Sequence, residues 1–254
     1  MRTSELIIPP WWSASLGNNY ATPELLEAFG SPLALNVLEQ ATMALIALAT
    51  LPCNRVALPG LQSLRQAGSL AVVGMGLANA LTCRLYMISL HHLPLSLCHT
   101  IRACSPCCAA IVGLLNGQRF SARQLLALPL MVLGFGIAVS AQPSCSTVGV
   151  AAAVGSLFAL TALQHLSKLT LDRGLHELQV QMLQCSLCCA FLAPVMTGGN
   201  ACTLYRGLVG QQRVRELSFI NGACDYVENV RMPSLAAACP VPTSRPWQYP
   251  QNAR

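Results

Sequence analysis

The chain has 254 residues, of which 54% are hydrophobic and only 9% charged, and its formal net charge is +6. A soluble domain carries about 25% charged residues, so most of this surface is expected to face lipid. Between Glu39 and Asp172 there is no Asp or Glu, while six Arg and one Lys fall in the interval. The apolar core therefore has no carboxylate pair to offer for general acid/base hydrolysis.

The opening "MRTSELIIPPWWSAS" lacks the apolar run of about 7–15 residues of a signal peptide. It is also too poor in Arg and Ser for a transit peptide. Residues 1–30 are expected to form a non-spanning segment, with Trp11 and Trp12 at the membrane interface. Six apolar segments then approach the roughly 20 residues a spanning helix needs: 33–52, 69–90, 94–116, 125–141, 147–168 and 178–197. They show no period-2 alternation, and only helices or closed barrels satisfy their backbone in lipid. The expectation is an all-α, polytopic transmembrane helix bundle over 31–198.

Charge sets the orientation. The loops after spans one, three and five hold Arg55 and Arg65, Arg119 and Arg123, then Lys168 and Arg173. The loops after spans two and four hold no Lys or Arg, which places the odd-numbered loops in the cytosol. Residues 199–254 are expected to form a polar, partly disordered tail. Arg206, Arg213 and Arg215 lie close to the sixth span against the charge pattern. "LSFINGACDYVENVRM" is too polar to span, since Asp225, Glu228 and Arg231 would need partners in lipid. The closing "CPVPTSRPWQYPQNAR" is Pro-rich and polar. No Lys/Arg block gives a nucleic-acid footprint.

The third span, "PLSLCHTIRACSPCCAAIVGLLN", carries a permanent charge at Arg102 near its middle. A charge at that depth costs about 2.5–3.5 kcal/mol on insertion scales. Residue chemistry leaves three offsets open: an ion pair with Glu39, snorkelling to an interface, or a watery cavity in which Arg102 meets an anion brought from outside. A planar guanidinium with five donors suits phosphate best. His99 is one turn earlier on the same face. Cys104, Cys107 and Cys108 form C-x-x-C-C, and Cys185, Cys188 and Cys189 repeat it. Facing sets would offer six thiols to a metal, but apolar flanks favour thiols packed as small hydrophobes. Pro106, Pro129 and Pro194 are expected to kink their spans. The glycines of "GMG" (74–76) and "GFG" (134–136) are expected at close helix contacts.

The stretch from "LPLSLCHTIRACSPCC" to "LQHLSK" resembles the triose-phosphate and sugar-phosphate translocators of the drug/metabolite transporter superfamily. Ser96, His99, Arg102, Ala103 and Pro106 match one motif. Gly117, Phe120, Ser121, Leu128, Pro129 and Gly134 match the next, and Ser167 and Lys168 a third. "FGSPLALNVLEQ" resembles the family's second span, and the likeness covers about residues 29–198, more weakly 217–245. The resemblance implies a ten-helix carrier of two inverted five-helix repeats with a central organic-phosphate site. Arg102 stands where the family has a phosphate-contacting lysine. Tyr86 and His99 are expected to line the same cavity as substrate contacts, and Lys168, in the family's Ser-Lys position, is a further candidate contact whose favoured reading is a snorkelling topology signal. The family's His and Thr in the preceding span correspond to Cys83 and Tyr86, which sets triose phosphate itself apart. Against the family pattern the chain is expected to lack the first, ninth and tenth spans, as if truncated at both ends.

The expected function is a membrane carrier that exchanges a sugar phosphate or nucleotide sugar for a counter-anion by alternating access. It needs no catalytic residue, metal or cofactor, and homo-oligomerisation is compatible with it. The expected location is an internal membrane: Golgi, endoplasmic reticulum or plastid envelope. Two alternatives stand beside it: a truncated, non-transporting fragment or isoform of such a carrier, and a membrane thiol or metal protein.

Overall fold

The computed structural model describes residues 25, 31–115, 117, 122–140, 146–196, 216–224 and 226. Trp11, Trp12, Arg119, the Arg206–Arg215 segment and the Pro-rich end lie outside the described residues. The elements are α1 (Pro32–Cys53), α2 (Leu61–Ala67), α3 (Ser69–His92), α4 (Leu95–Arg102) and α5 (Ser105–Leu115). Next come α6 (Ala122–Ser140), α7 (Thr147–Asp172), α8 (Glu177–Leu192), a 3-10 turn (Ala193–Val195) and α9 (216–224). No strand occurs among the described residues, as the absence of period-2 alternation requires.

Local chemistry sets the helix ends. Ser31 caps α1 by accepting from the Ala34 amide at 3.4 Å, and Pro32 fills the first turn, where no N–H is needed. At α8, His176 Nδ1 accepts from the Leu178 amide while Gln179 Oε1 accepts from the His176 amide, closing a capping box. Gly174, at φ +96°, supplies the left-handed turn between α7 and α8.

Five segments are long and apolar enough to cross a bilayer: α1, α3, Ser96–Leu115, α7 and Glu177–Val195. Five of the six predicted spans are continuous as helices or nearly so. The third is not. Pro106 has no N–H to give the Arg102 carbonyl, and its ring crowds that carbonyl, so the span breaks between α4 and α5. The fourth predicted span corresponds to α6, which continues through Pro129; its apolar described stretch is Leu128–Ile137. Pro194 falls in the 3-10 turn after α8 has ended rather than inside a helix.

The central helix is α3. It runs antiparallel to α7 and packs on α8, and α1 packs on α8 while also meeting α3. Val72, Met75 and Ala78 of α3 meet Leu163 of α7 and Val180 of α8 in one buried cluster. Leu97, Cys98 and Ile101 of α4, with Cys108 of α5, meet Ala153 and Leu157 of α7 in another. Lipid tails are as apolar as leucine, so close van der Waals fit rather than removal from water holds such helices together. Gly76 permits that fit, since a methyl group there would overlap Leu187 of α8. Gly134 and Gly136 do not act this way: a methyl at either meets nothing within 4 Å. They sit on the exposed side of α6, beside Leu133 and Ile137.

The two ends of the bundle are chemically distinct. The Arg173 guanidinium donates to the Ala67 carbonyl at 2.9 Å, and the Gln179 amide donates to the Ala57 carbonyl at 2.7 Å. These bonds tie the loops after α1 and α7 together at one end, where Arg55 and Arg65 also lie. At the opposite, cation-poor end, Leu93 and His92 pack on Gly149. In the tail, α9 lies along α1. Asn221 Nδ2 donates to Glu39 Oε1, Gly222 lies against Thr42, and the Tyr226 hydroxyl is 2.7 Å from Thr50 Oγ1.

Candidate anion site

Tyr86 lies six residues before the end of α3 at His92, and Arg102 six residues after Ser96. At 1.5 Å per residue both stand about 9 Å in from the cation-poor end, within a hydrocarbon core roughly 30 Å thick. The two helices are joined there by the short Leu93–Pro94 connection, so the residues face each other at one level. The Arg102 guanidinium carbon sits 4.7 Å from the Tyr86 ring centroid, a cation–π contact. His99, Arg102, Ala103 and Pro106 are all exposed, and their spacing lays them along one side of the broken span. The opposite side, Leu97, Cys98 and Ile101, is buried against α7.

Arg102 therefore points away from the packed core, over an aromatic face, beside an interrupted helix. Among the described residues it forms no ion pair. Glu39 instead accepts from Asn221 of the tail helix. A guanidinium carries five N–H donors in a planar fork, a geometry suited to a phosphate or carboxylate.

The structure brings Arg102, Tyr86 and His99 together. Lys168 is elsewhere: it is exposed one turn before the end of α7, at the cation-rich end. Counted along the helices, it stands roughly 20 Å from the level of Arg102. The two cysteine sets are also apart. Cys108 is buried among α4 and α7, whereas Cys188 is buried with Leu33 of α1 and Ala80 of α3. No group of three or more metal-ligating side chains occurs among the described residues. Several thiols donate to helix carbonyls: Cys104 to Thr100, Cys107 to Leu128 and Cys189 to Val37.

Two features escaped the sequence reading. One is a buried set of amides: Asn36 and Gln40 on α1, Asn79 on α3, Gln181 and Gln184 on α8. Asn79 Nδ2 donates to Gln40 Oε1 at 3.0 Å and to the Gln184 carbonyl at 3.4 Å; Gln184 Nε2 donates to Gln181 Oε1 at 3.2 Å. Their signal was visible as amides one turn apart inside apolar runs. The other is Arg84, exposed in line with Leu70, Val73, Leu77 and Leu81 on the outer side of α3. It lies about 160° around the helix from Tyr86.

A helical bundle with exposed leucine belts and five segments long and apolar enough to cross a bilayer has the layout of a polytopic membrane protein. A family model agrees, matching residues 3–241 to the triose-phosphate transporter family. The chain belongs to that family, whose members are transporters of phosphorylated sugars. A comparison with curated proteins finds no match.

Proposed function

We propose that this protein exchanges an organic phosphate, a sugar phosphate or nucleotide sugar, for a counter-anion across an internal-organelle membrane of the Golgi, endoplasmic reticulum or plastid envelope. The observation that carries the reading is Arg102: a permanent cation about 9 Å inside the span, stacked on Tyr86 and in no ion pair among the described residues. An incoming phosphate supplies the missing charge. The guanidinium binds it in a fork, the Tyr86 ring fixes the plane of that fork, and His99 lies one turn nearer the cation-poor end to meet a second oxygen. Lys168 sits too far along α7 to join this contact and serves the cation-rich mouth.

Substrate drives exchange only where it binds both end states through different contacts. The break at Ala103–Cys104 gives α4 a pivot against α5, so the segment bearing His99 and Arg102 moves while α5 stays packed. The test is counterflow. Liposomes loaded with inorganic phosphate and carrying the purified protein are expected to accumulate labelled sugar phosphate or nucleotide sugar. Arg102→Gln is expected to abolish uptake and Arg102→Lys to retain part of it, since the charge survives without the planar fork. Absence of counterflow from a folded preparation, or uptake indifferent to Arg102→Gln, refutes the reading.

A further inference from the structure

The amide cluster contains one atom that the fold leaves unsatisfied. Asn36 is 4% exposed, and its Oδ1 has no hydrogen-bond partner among the described residues. The other amide oxygens of the cluster that face a neighbour are used: Gln40 Oε1 by Asn79 and Gln181 Oε1 by Gln184. In an apolar interior a bare acceptor costs more than a satisfied one returns, and buried polar groups without partners call for an explanation.

Register places this oxygen. Gln40 bonds Asn79 and lies 3.9 Å from Cys83 Sγ, so it stands level with residues 79–83 of α3. The α1 chain leaves the cation-poor end at Ser31, and α3 arrives there at His92. The two helices are thus antiparallel, and a step of one turn from Gln40 back to Asn36 matches one turn forward on α3, to the level of Tyr86. Asn36 and Gln40 share a side of α1, as Asn79, Cys83 and Tyr86 share a side of α3. Asn36 therefore stands at the level of Tyr86, over which Arg102 lies, and its buried Oδ1 has no hydrogen-bond partner among the described residues.

We propose that Asn36 is a specificity-determining residue of the carrier. With phosphate on Arg102, Asn36 Oδ1 accepts a hydrogen bond from a hydroxyl on the organic part of the substrate, and Gln40, held by Asn79, sets the back of that subsite. The inference rests on the anion-carrier reading above. Its consequence is selection: hydroxyl-bearing phosphate esters bind more tightly than inorganic phosphate or an ester without a hydroxyl. A site built to pair a substrate hydroxyl discriminates against the analogue that lacks it.

The experiment is competition binding on the full chain in nanodiscs, with labelled inorganic phosphate displaced by glycerol phosphate or by methyl phosphate. Wild type is expected to prefer glycerol phosphate over methyl phosphate by about tenfold. Asn36→Leu is expected to erase that preference while leaving inorganic phosphate affinity within about twofold of wild type. Asn36→Ala removes the same acceptor with little demand on the helix and makes the same comparison should the leucine variant not fold. Equal weakening of all three probes assigns Asn36 a purely structural role and overturns the proposal. A preference that survives both substitutions overturns it as well, and raised stability with unchanged selectivity shows that the oxygen held only water. If wild type binds no phosphate at all, the anion-carrier reading itself fails, an outcome distinct from the others.

Discussion

The glycines at 74 and 76 lie on one helix two residues apart, yet the structure assigns them opposite tolerance to a methyl group. At Gly74 a new Cβ meets only Leu166 Cδ1, at 3.4 Å, the distance of ordinary contact with a flexible end. At Gly76 it overlaps Leu187 Cβ and crowds Leu187 Cδ1 at 3.1 Å. Leu187 Cβ is fixed to the backbone of α8 and cannot rotate away, so α3 and α8 must separate. Replacing Gly by Ala within a helix gains about 1 kcal/mol at either site. Overpacking a tight contact costs about 1–3 kcal/mol. Gly74→Ala is thus expected to stabilise by up to about 1 kcal/mol, and Gly76→Ala to fall below it by about 1–3 kcal/mol. Comparing the pair cancels helix propensity and isolates the α3–α8 seam. Equilibrium unfolding in mixed micelles reads the difference directly, and for a chain of this size each kcal/mol moves Tm by about 2–4 °C. Equal stabilisation at both positions would falsify the proposed closeness of α3 and α8.

Other expectations bear on the site and its surroundings. Tyr86→Phe keeps the ring under Arg102 and is expected to hold phosphate affinity within about twofold, whereas Tyr86→Leu forfeits about 0.5–2 kcal/mol of cation–π attraction; competition binding separates them, and identical behaviour removes the ring from the site. Pro106→Ala restores the N–H that the Arg102 carbonyl lacks, so melting temperature is expected to rise while counterflow slows; a less stable variant contradicts the cause assigned to the break. The cysteine sets pack separately, so incubation with a chelator is expected to leave the melting curve unchanged, while Cys188→Ala costs about 1 kcal/mol through the lost sulfur contacts at a fully buried position; a chelator-induced drop in Tm reopens the metal reading.

Most of the architecture was legible because lipid imposes it. Apolar length locates α1, α3, α7 and α8 to within a few residues, and clustered arginines agree with the end that Arg173 and Gln179 tie together. The same one-dimensional counting failed where side-chain direction decides. Arg84 and Arg102 are both arginines in spans, at depths of about 12 and 9 Å from the same end. Hydropathy cannot tell them apart. One continues the outer stripe of Leu77 and Leu81, the other lies over Tyr86. The pairing of Glu39 with Asn221 was hidden for another reason: it joins residues 182 apart in sequence, across a tail too polar to be read as part of the bundle. The "GFG" glycines mislead because small residues permit close approach without compelling a neighbour to use it.

The break in the third span and the cation on it act as one device. Pro106 deprives the Arg102 carbonyl of its helical donor, and a carbonyl so freed within a span requires water or a polar ligand. Arg102 is itself exposed, and a polar surrounding lowers the cost of its charge, because the interaction energy of a charge scales inversely with the local dielectric. The Arg102 guanidinium carbon also lies 4.7 Å from the Tyr86 ring centroid, and that aromatic face partly compensates its charge. Glu39 of α1 accepts from Asn221 of the tail helix. Proline, arginine, tyrosine and asparagine thus settle one problem from four positions: how to hold a positive charge in oil without giving it a permanent partner. On the function proposed above, release of the anion on the other side requires that arrangement, since a fixed carboxylate would compete with every substrate that entered.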